Sequence, residues 1–308
     1  MNTVTHMSSV ILLTAAFLIA GCGTSGTEPT PDGGDTSPDL DASGLIAFVS
    51  ERDGGDRDIF VQNVDGSGLV QLTDNSAMDM SPNWSPDGTR IVFDSDRDGD
   101  RDIYVMDADG GNVVCLTQNS IAEDLYPDWS PDGSQIVFTS ARDGNWELYV
   151  MNADGGNQQR LTDNLVEDFG GRWSPDGARI LYASGPDFDN YELYHMLANG
   201  SGVVRLTDND VPDLFAEWSP DGNNIAFTTG AGPSEDIYLM NADGSDVRVL
   251  VANAANDIFA CWSPDGTRVA YQTTYGDNDD IAAVEVATGD VVRLTTNPGW
   301  DSYPTWRR

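Results

Sequence analysis

The chain has 308 residues, 51 of them acidic and 15 basic, for a formal charge of −36 at pH 7 in which every cation is an arginine. A field of that sign repels nucleic acid and anionic lipid and attracts cations or basic protein segments, so nucleic-acid binding is excluded at the outset. Part of the excess has a local origin, because aspartate is a favoured turn residue and the turns of this chain recur.

Residues 10–20, VILLTAAFLIA, form an 11-residue apolar run. It is too short to span a bilayer and has the length of a signal-peptide core. The run ends in LIAGC, which resembles the bacterial lipoprotein signal, in which a cysteine is lipidated on sulfur and becomes the mature N-terminus. On that reading residues 1–21 are the signal and Cys22 carries the lipid; an ordinary cleaved signal is the alternative, and residues 1–9 contain no Lys or Arg. Gly23 after the cysteine is compatible with outer-membrane sorting. Residues 22–43 are rich in Gly, Pro, Ser, Thr and Asp, the composition of a flexible tether. The expected location is the cell envelope, with the membrane contacted only through the lipid.

From residue 44 the chain is periodic. Trp-Ser-Pro-Asp-Gly begins at Trp84, Trp129, Trp173, Trp218 and Trp262, and Trp306 stands one period further on, in steps of 45, 44, 45, 44 and 44 residues. A period in the forties with several short apolar runs per repeat predicts a β-propeller, one four-stranded blade per repeat. Nine residues after each tryptophan comes an aromatic, Phe93, Phe138, Tyr182, Phe227 or Tyr271, closing runs such as RIVF and RILY that read as buried second strands. Third strands follow in DIYVMD (102–107), ELYVMN (147–152) and DIYLMN (236–241), and fourth strands end in Leu-Thr at Leu116, Leu161, Leu206 and Leu294, with Leu250-Val251 as the variant. Ser-Pro-Asp-Gly and the Ala-Asp-Gly type segments supply turns, Pro presetting φ and Gly accepting the left-handed position.

The ends of the periodic region are complementary. LIAFVS after Gly44 is a second strand without a first, and SYPTWRR is a first strand with nothing after it. They predict one blade shared between the termini, hence an all-β, six-bladed propeller over residues 44–308, closed by the strand around Trp306 and monomeric. Length alone suggests about two domains, but the repeats leave room for one. Cys115 and Cys261 fall on an outer and an inner strand, too far apart for a disulfide.

Two sets of aspartates are candidate sites. Asp79, Asp124, Asp168, Asp213, Asp257 and Asp301 each stand five residues before the repeat tryptophan, at the start of the innermost strand. Six carboxylates converging on a channel rim would hold a cation or a basic peptide. The same sixfold pattern also arises if each caps a turn between blades. Residues 94–102, DSDRDGDRD, match the Asp-x-Asp-x-Asp-Gly opening of a calcium loop, with Asp94, Asp96 and Asp98 as ligands and Asp100 next, although Val105 stands where the loop's closing glutamate would be. Calcium is therefore the expected cofactor, if any, with solvated hairpins as the alternative.

Catalysis finds little support in the sequence. Beyond the signal the one histidine is His195, within the strand YELYHM, and there is no Gly-x-Ser-x-Gly elbow, zinc-spaced Cys/His pair or phosphate loop. Carboxylates are plentiful, but nothing singles out an acid from a base.

The string W-S-P-D-G-x-x-I-x-F, with D-I-Y-x-M-x-A-D-G and R-L-T, resembles the WD40-like repeat of TolB-type propellers over residues 44–308. The resemblance implies an envelope protein that binds protein partners, with channel calcium a recurring feature of the group. Related propellers gate prolyl oligopeptidases and dipeptidyl peptidases, whose hydrolase domain has no counterpart here. Others resemble oligogalacturonate lyases, whose metal-binding histidines have none either. The expectation is a non-enzymatic module whose channel face takes a protein or basic peptide segment; the alternative is a lyase or hydrolase acting on polysaccharide.

Overall fold

A computed structural model describes residues 44–52, 55–118, 122–230 and 234–307. The expected signal, the lipidation site Cys22 and the tether lie outside these residues. The described chain forms six antiparallel sheets of four strands. Blade 1 comprises Asp79–Trp84, Arg90–Ser95, Asp102–Asp107 and Val114–Cys115, and blade 2 Asp124–Trp129, Gln135–Ser140, Glu147–Asn152 and Gln159–Arg160. Blade 3 begins at Glu167–Trp173, blade 4 at Asp213–Trp218 and blade 5 at Asp257–Trp262, each with three further strands in chain order.

Blade 6 is built from both ends. Its order is Asp301–Trp306, Leu45–Ser50, Asp58–Asn63 and Val70–Gln71, with Ile46 opposite Trp306 and Ser50 opposite Asp301. The complementarity of LIAFVS and SYPTWRR is thus realised as a backbone ladder, which leaves no open seam in the ring.

The core lies between blades, and the period of the second strand explains why. Ile91, Val92 and Phe93 are all inaccessible to solvent. Ile91 and Phe93 pack with Ala47, Ile59 and Val61 of blade 6, whereas Val92 packs with Trp129 and Ile136 of blade 2. Successive side chains point to opposite faces, so a strand held between two sheets needs apolar residues at every position. Each such side chain contributes about 1.5–3 kcal/mol by leaving water. The repeat tryptophans fill the same interfaces, Trp84 between blades 6 and 1 and Trp129 between blades 1 and 2.

The turns behave as their chemistry requires. In the first hairpin of blade 1, Asp87 accepts from the Ser85 hydroxyl at 2.6 Å and the Thr89 amide at 3.0 Å, and the arrangement recurs at Asp132, Asp176, Asp221 and Asp265. Between third and fourth strands, Gly155 has φ +85° and a Cβ there would lie 2.9 Å from the Leu116 carbonyl oxygen of the preceding blade. Only glycine satisfies both the backbone angle and the approach.

Candidate binding face and channel

The innermost strands do not run straight. Each carries a positive φ three residues before its tryptophan, at Ser81, Tyr126, Gly170, Phe215, Phe259 and Tyr303. The strand pairing slips at the same place, as between Leu125 and Asp128 or Ile258 and Cys261. Such a bulge re-aims its side chain, and here it aims into the channel. Tyr126, Phe215, Phe259 and Tyr303 close a ring of four aromatics, with centroids 6.3 Å, 4.3 Å, 3.9 Å and 6.2 Å apart around the circuit. Blades 1 and 3 contribute Ser81 and Gly170, leaving room for the four rings.

Those rings floor a cavity of about 40 Å³ that opens toward the Ser-Pro-Asp-Gly turns and is lined by Asn83, Arg172, Glu217, Cys261 and Thr305. Arg172 Nε lies 3.3 Å from Glu217 Oε2. At roughly 10–15 Å³ per water the space holds a few waters, not a peptide. The channel is therefore plugged midway.

The six aspartates expected at the rim are fully buried, so the structure corrects that reading. Their carboxylates face the seams between blades. Asn75, Asn164, Asn209 and Asn253 donate side-chain N–H bonds of 2.6–2.7 Å to Asp79, Asp168, Asp213 and Asp257, and Asn297 donates likewise to Asp301. Arg97, Arg142 and Arg52 pair with Asp79, Asp124 and Asp301 at 2.8, 2.9 and 3.1 Å. The Asp79 and Asp124 amides donate to the Arg57 and Arg101 carbonyls of the preceding blade. These residues are inter-blade latches. Burial pushes the carboxyls of Asp124, Asp168 and Asp213 up, and that of Asp257 up to about 6.

The calcium-loop reading of residues 94–102 is also corrected. Asp94 is buried, pairs with Arg101 and accepts the Tyr126 amide at 3.3 Å; Asp96 accepts the Met78 amide at 2.8 Å; Asp98 accepts the Tyr104 hydroxyl at 2.7 Å. Asp100 Oδ2 is buried without a partner. The donors disperse to separate neighbours, and among the described residues no three Asp, Glu, His or Cys side chains gather as a metal site. The loop does not fit calcium.

Sequence reasoning missed two groups. One is a second ring of acids opening the third strands, in which Asp58 and Asp102 accept from Thr73 and Thr117 at 2.9 and 2.7 Å, while Arg160 and Arg205 pair with Glu147 and Glu192 at 2.7 and 3.0 Å. The recurring acid before Ile-Tyr or Leu-Tyr was its signal. The other is the Ser-x-Arg at the end of three second strands, Ser50–Arg52, Ser95–Arg97 and Ser140–Arg142, in which Nε donates to the serine hydroxyl at 2.8, 3.0 and 2.7 Å.

With these cations folded onto buried acids, the face formed by the second-to-third-strand hairpins and the inter-blade connections presents exposed Asp74, Asp98, Asp187, Asp189, Asp210 and Asp277. Six four-stranded blades closed by a shared terminal blade define a six-bladed β-propeller. The family described as PD40, TolB beta propeller domain, matches residues 33–124, 122–230 and 214–308, and the chain belongs to it. Among solved structures it is similar to TolB from Acinetobacter baumannii, at 23% identity and a TM-score of 0.76 over 87% of this chain and 67% of that one. A chain of a nidogen–laminin complex is similar at 11% identity and a TM-score of 0.72, covering 86% and 99%. An oligogalacturonate lyase in complex with manganese is similar at 15% identity and a TM-score of 0.55, covering 81% and 72%. These likenesses are of fold. No curated protein matches the chain significantly.

Proposed function

We propose that this propeller is a non-enzymatic, protein-binding module of the bacterial cell envelope, anchored through a lipid on Cys22 and engaging a basic partner on its hairpin face. The observation that carries the reading is the separation of charge by burial. Arg52, Arg97, Arg101 and Arg142 on that face turn inward onto buried acids, leaving exposed aspartates such as Asp74, Asp187, Asp189, Asp210 and Asp277 as a field that attracts and orients a cationic partner. The aromatic plug supports recognition at a face in place of passage through the channel. Family membership and the likeness to TolB, and to a chain crystallised in a nidogen–laminin complex, agree with a propeller used for protein recognition. His195 supports a binding role over acid–base chemistry: it is half-buried on a third strand, and its charged neighbour is Arg179, which together with burial pushes its pKa down.

The test is capture of envelope proteins by the mature chain, compared with an Asp187→Asn, Asp210→Asn, Asp277→Asn variant. The expected result is a captured basic protein, weakened by the triple variant and by raised salt, as exposed charges are screened within about 8–10 Å at 0.1–0.15 M. Capture indifferent to both would contradict the reading.

A further inference from the structure

Three blades hold the same arginine in the same box. In blade 2 the Arg142 guanidinium meets Asp124 at 2.9 Å and Ser140 at 2.7 Å, lies 5.3 Å over the Phe138 ring and 4.7 Å over the Tyr149 ring, and bonds Gln158. Arg97 repeats this with Asp79, Phe93 and Tyr104, and Arg52 with Asp301, Phe48 and Phe60. Acid, hydroxyl and paired aromatic faces form a site matched to a planar cation.

Blade 4 keeps the box and lacks the arginine. Adding 89 to the blade 2 positions gives Asp213, Thr229, Phe227, Tyr238 and Val247, and all five line one cleft of about 430 Å³. That volume falls in the roughly 300–1,000 Å³ range of small-ligand sites. Phe227 and Tyr238 keep the aromatic pair, with centroids 6.0 Å apart against 5.7 Å in blade 2. Asp213 is solvent-inaccessible and accepts on Oδ2 from Asn209, with the Thr229 and Thr207 hydroxyls as further neighbours that favour its charged form; Oδ1 makes no close hydrogen bond, as is also true of Asp168 and Asp257 in the other two blades without this arginine. By sequence offset alone the counterpart of Arg142 is Ala231, which lies outside the described residues, and the segment 230–236, GAGPSED, contains no cation. The other two blades differ: blade 3 has Pro186 at this position, and blade 5 has Tyr275 there and Ala282 in place of the third-strand aromatic. Exposed Asp210 adds negative charge at the mouth, while Asp208 there is neutralised by Arg205 at 2.8 Å.

We propose that the blade 4 cleft is a guanidinium-binding site that takes an arginine side chain of the partner, completing from outside the box that Arg52, Arg97 and Arg142 complete from within. This deepens the binding-module reading and rests on it for the identity of the ligand as a protein. The carboxylate and the two rings select a flat cation over an ammonium, because a guanidinium stacks on the rings and reaches Asp213 in the same plane.

The experiment is calorimetric titration of the mature protein with N-acetyl-arginine methylamide, alongside the lysine and citrulline counterparts. Saturable binding of one arginine probe per chain is expected, at least about tenfold tighter than the lysine probe, with none for citrulline. Ala231→Arg should abolish it by filling the box from inside, Asp213→Asn should abolish it without filling the cleft, and Arg142→Ala should add a second site. No saturable binding, or binding untouched by both Ala231→Arg and Asp213→Asn, overturns the proposal. If Ala231→Arg captures its envelope partner as well as the native chain does, the cleft is overturned as the partner's contact while the binding-module reading survives; if no partner is captured by either, the module reading fails independently of the titration.

Discussion

At the scale of single residues, aspartates with one sequence pattern divide into two physical kinds. Those in Ser-Pro-Asp-Gly turns are exposed and hydrogen-bonded, and the Ser85 hydroxyl with the Thr89 amide brings Asp87 down to about 2. Those at blade seams are buried, and desolvation raises Asp58 and Asp257 to about 6 from an ordinary 3.8. The consequences for stability are opposite. Asp257 binds its proton more tightly when folded, so its contribution is full below about pH 4 and is lost as pH rises through about 6. Asp87 contributes above about pH 4 and loses that contribution as pH falls through about 2. The two contributions are therefore both full near pH 4, and the part of the melting temperature they set should peak there and decline as pH rises toward about 6. Asp257→Asn, which mimics the protonated acid, should raise the melting temperature at pH 7.5 and leave it nearly unchanged at pH 3.5, as followed by calorimetry. A lower melting temperature at pH 7.5 would contradict the assignment. The sixfold spacing of Asp257 and its counterparts was legible in the sequence, but their environment was not. It depends on partners such as Arg52, which is 249 positions from Asp301, and on hairpins that fold arginine inward.

At the scale of elements, second and third strands were legible because their apolar runs have no polar alternative. The outer strands are reduced to two to four residues, with exposed Val114, Val204 and Val249. Short edges limit sheet-to-sheet association. The innermost strands were legible as strands but not as bulges. DLYPDW and DLFAEW carry no glycine to announce a positive φ, and the aromatic plug follows from that hidden turn of the backbone. The closing strand carries the sharpest prediction. Trp306 packs with Ile46, Phe48 and Ala270, and its strand supplies one edge of blade 6. Ending the chain at Trp300 should lower the melting temperature sharply and expose the Leu45–Ser50 edge to protease. An unchanged melting profile would mean that the ring does not depend on this closure.

At the scale of the molecule, the ring has two unlike faces. The one with the Ser-Pro-Asp-Gly turns opens on a cavity too small for a peptide. Both faces carry exposed aspartates, but on the Ser-Pro-Asp-Gly face Asp87, Asp132, Asp176, Asp221 and Asp265 are held within their own turns, whereas the other face adds the blade 4 box that has no arginine of its own. This inequality was only partly legible: composition announced the charge, but which carboxylates remain exposed depends on where the arginines go. The most direct measurement is site-specific photo-cross-linking in the intact envelope, with the photoreactive residue at Asp210 on the hairpin face and at Asp132 on the opposite face. A discrete protein adduct from position 210, absent from position 132, is the predicted result. Adducts from position 132 alone, or none from either, would contradict recognition at the acidic face.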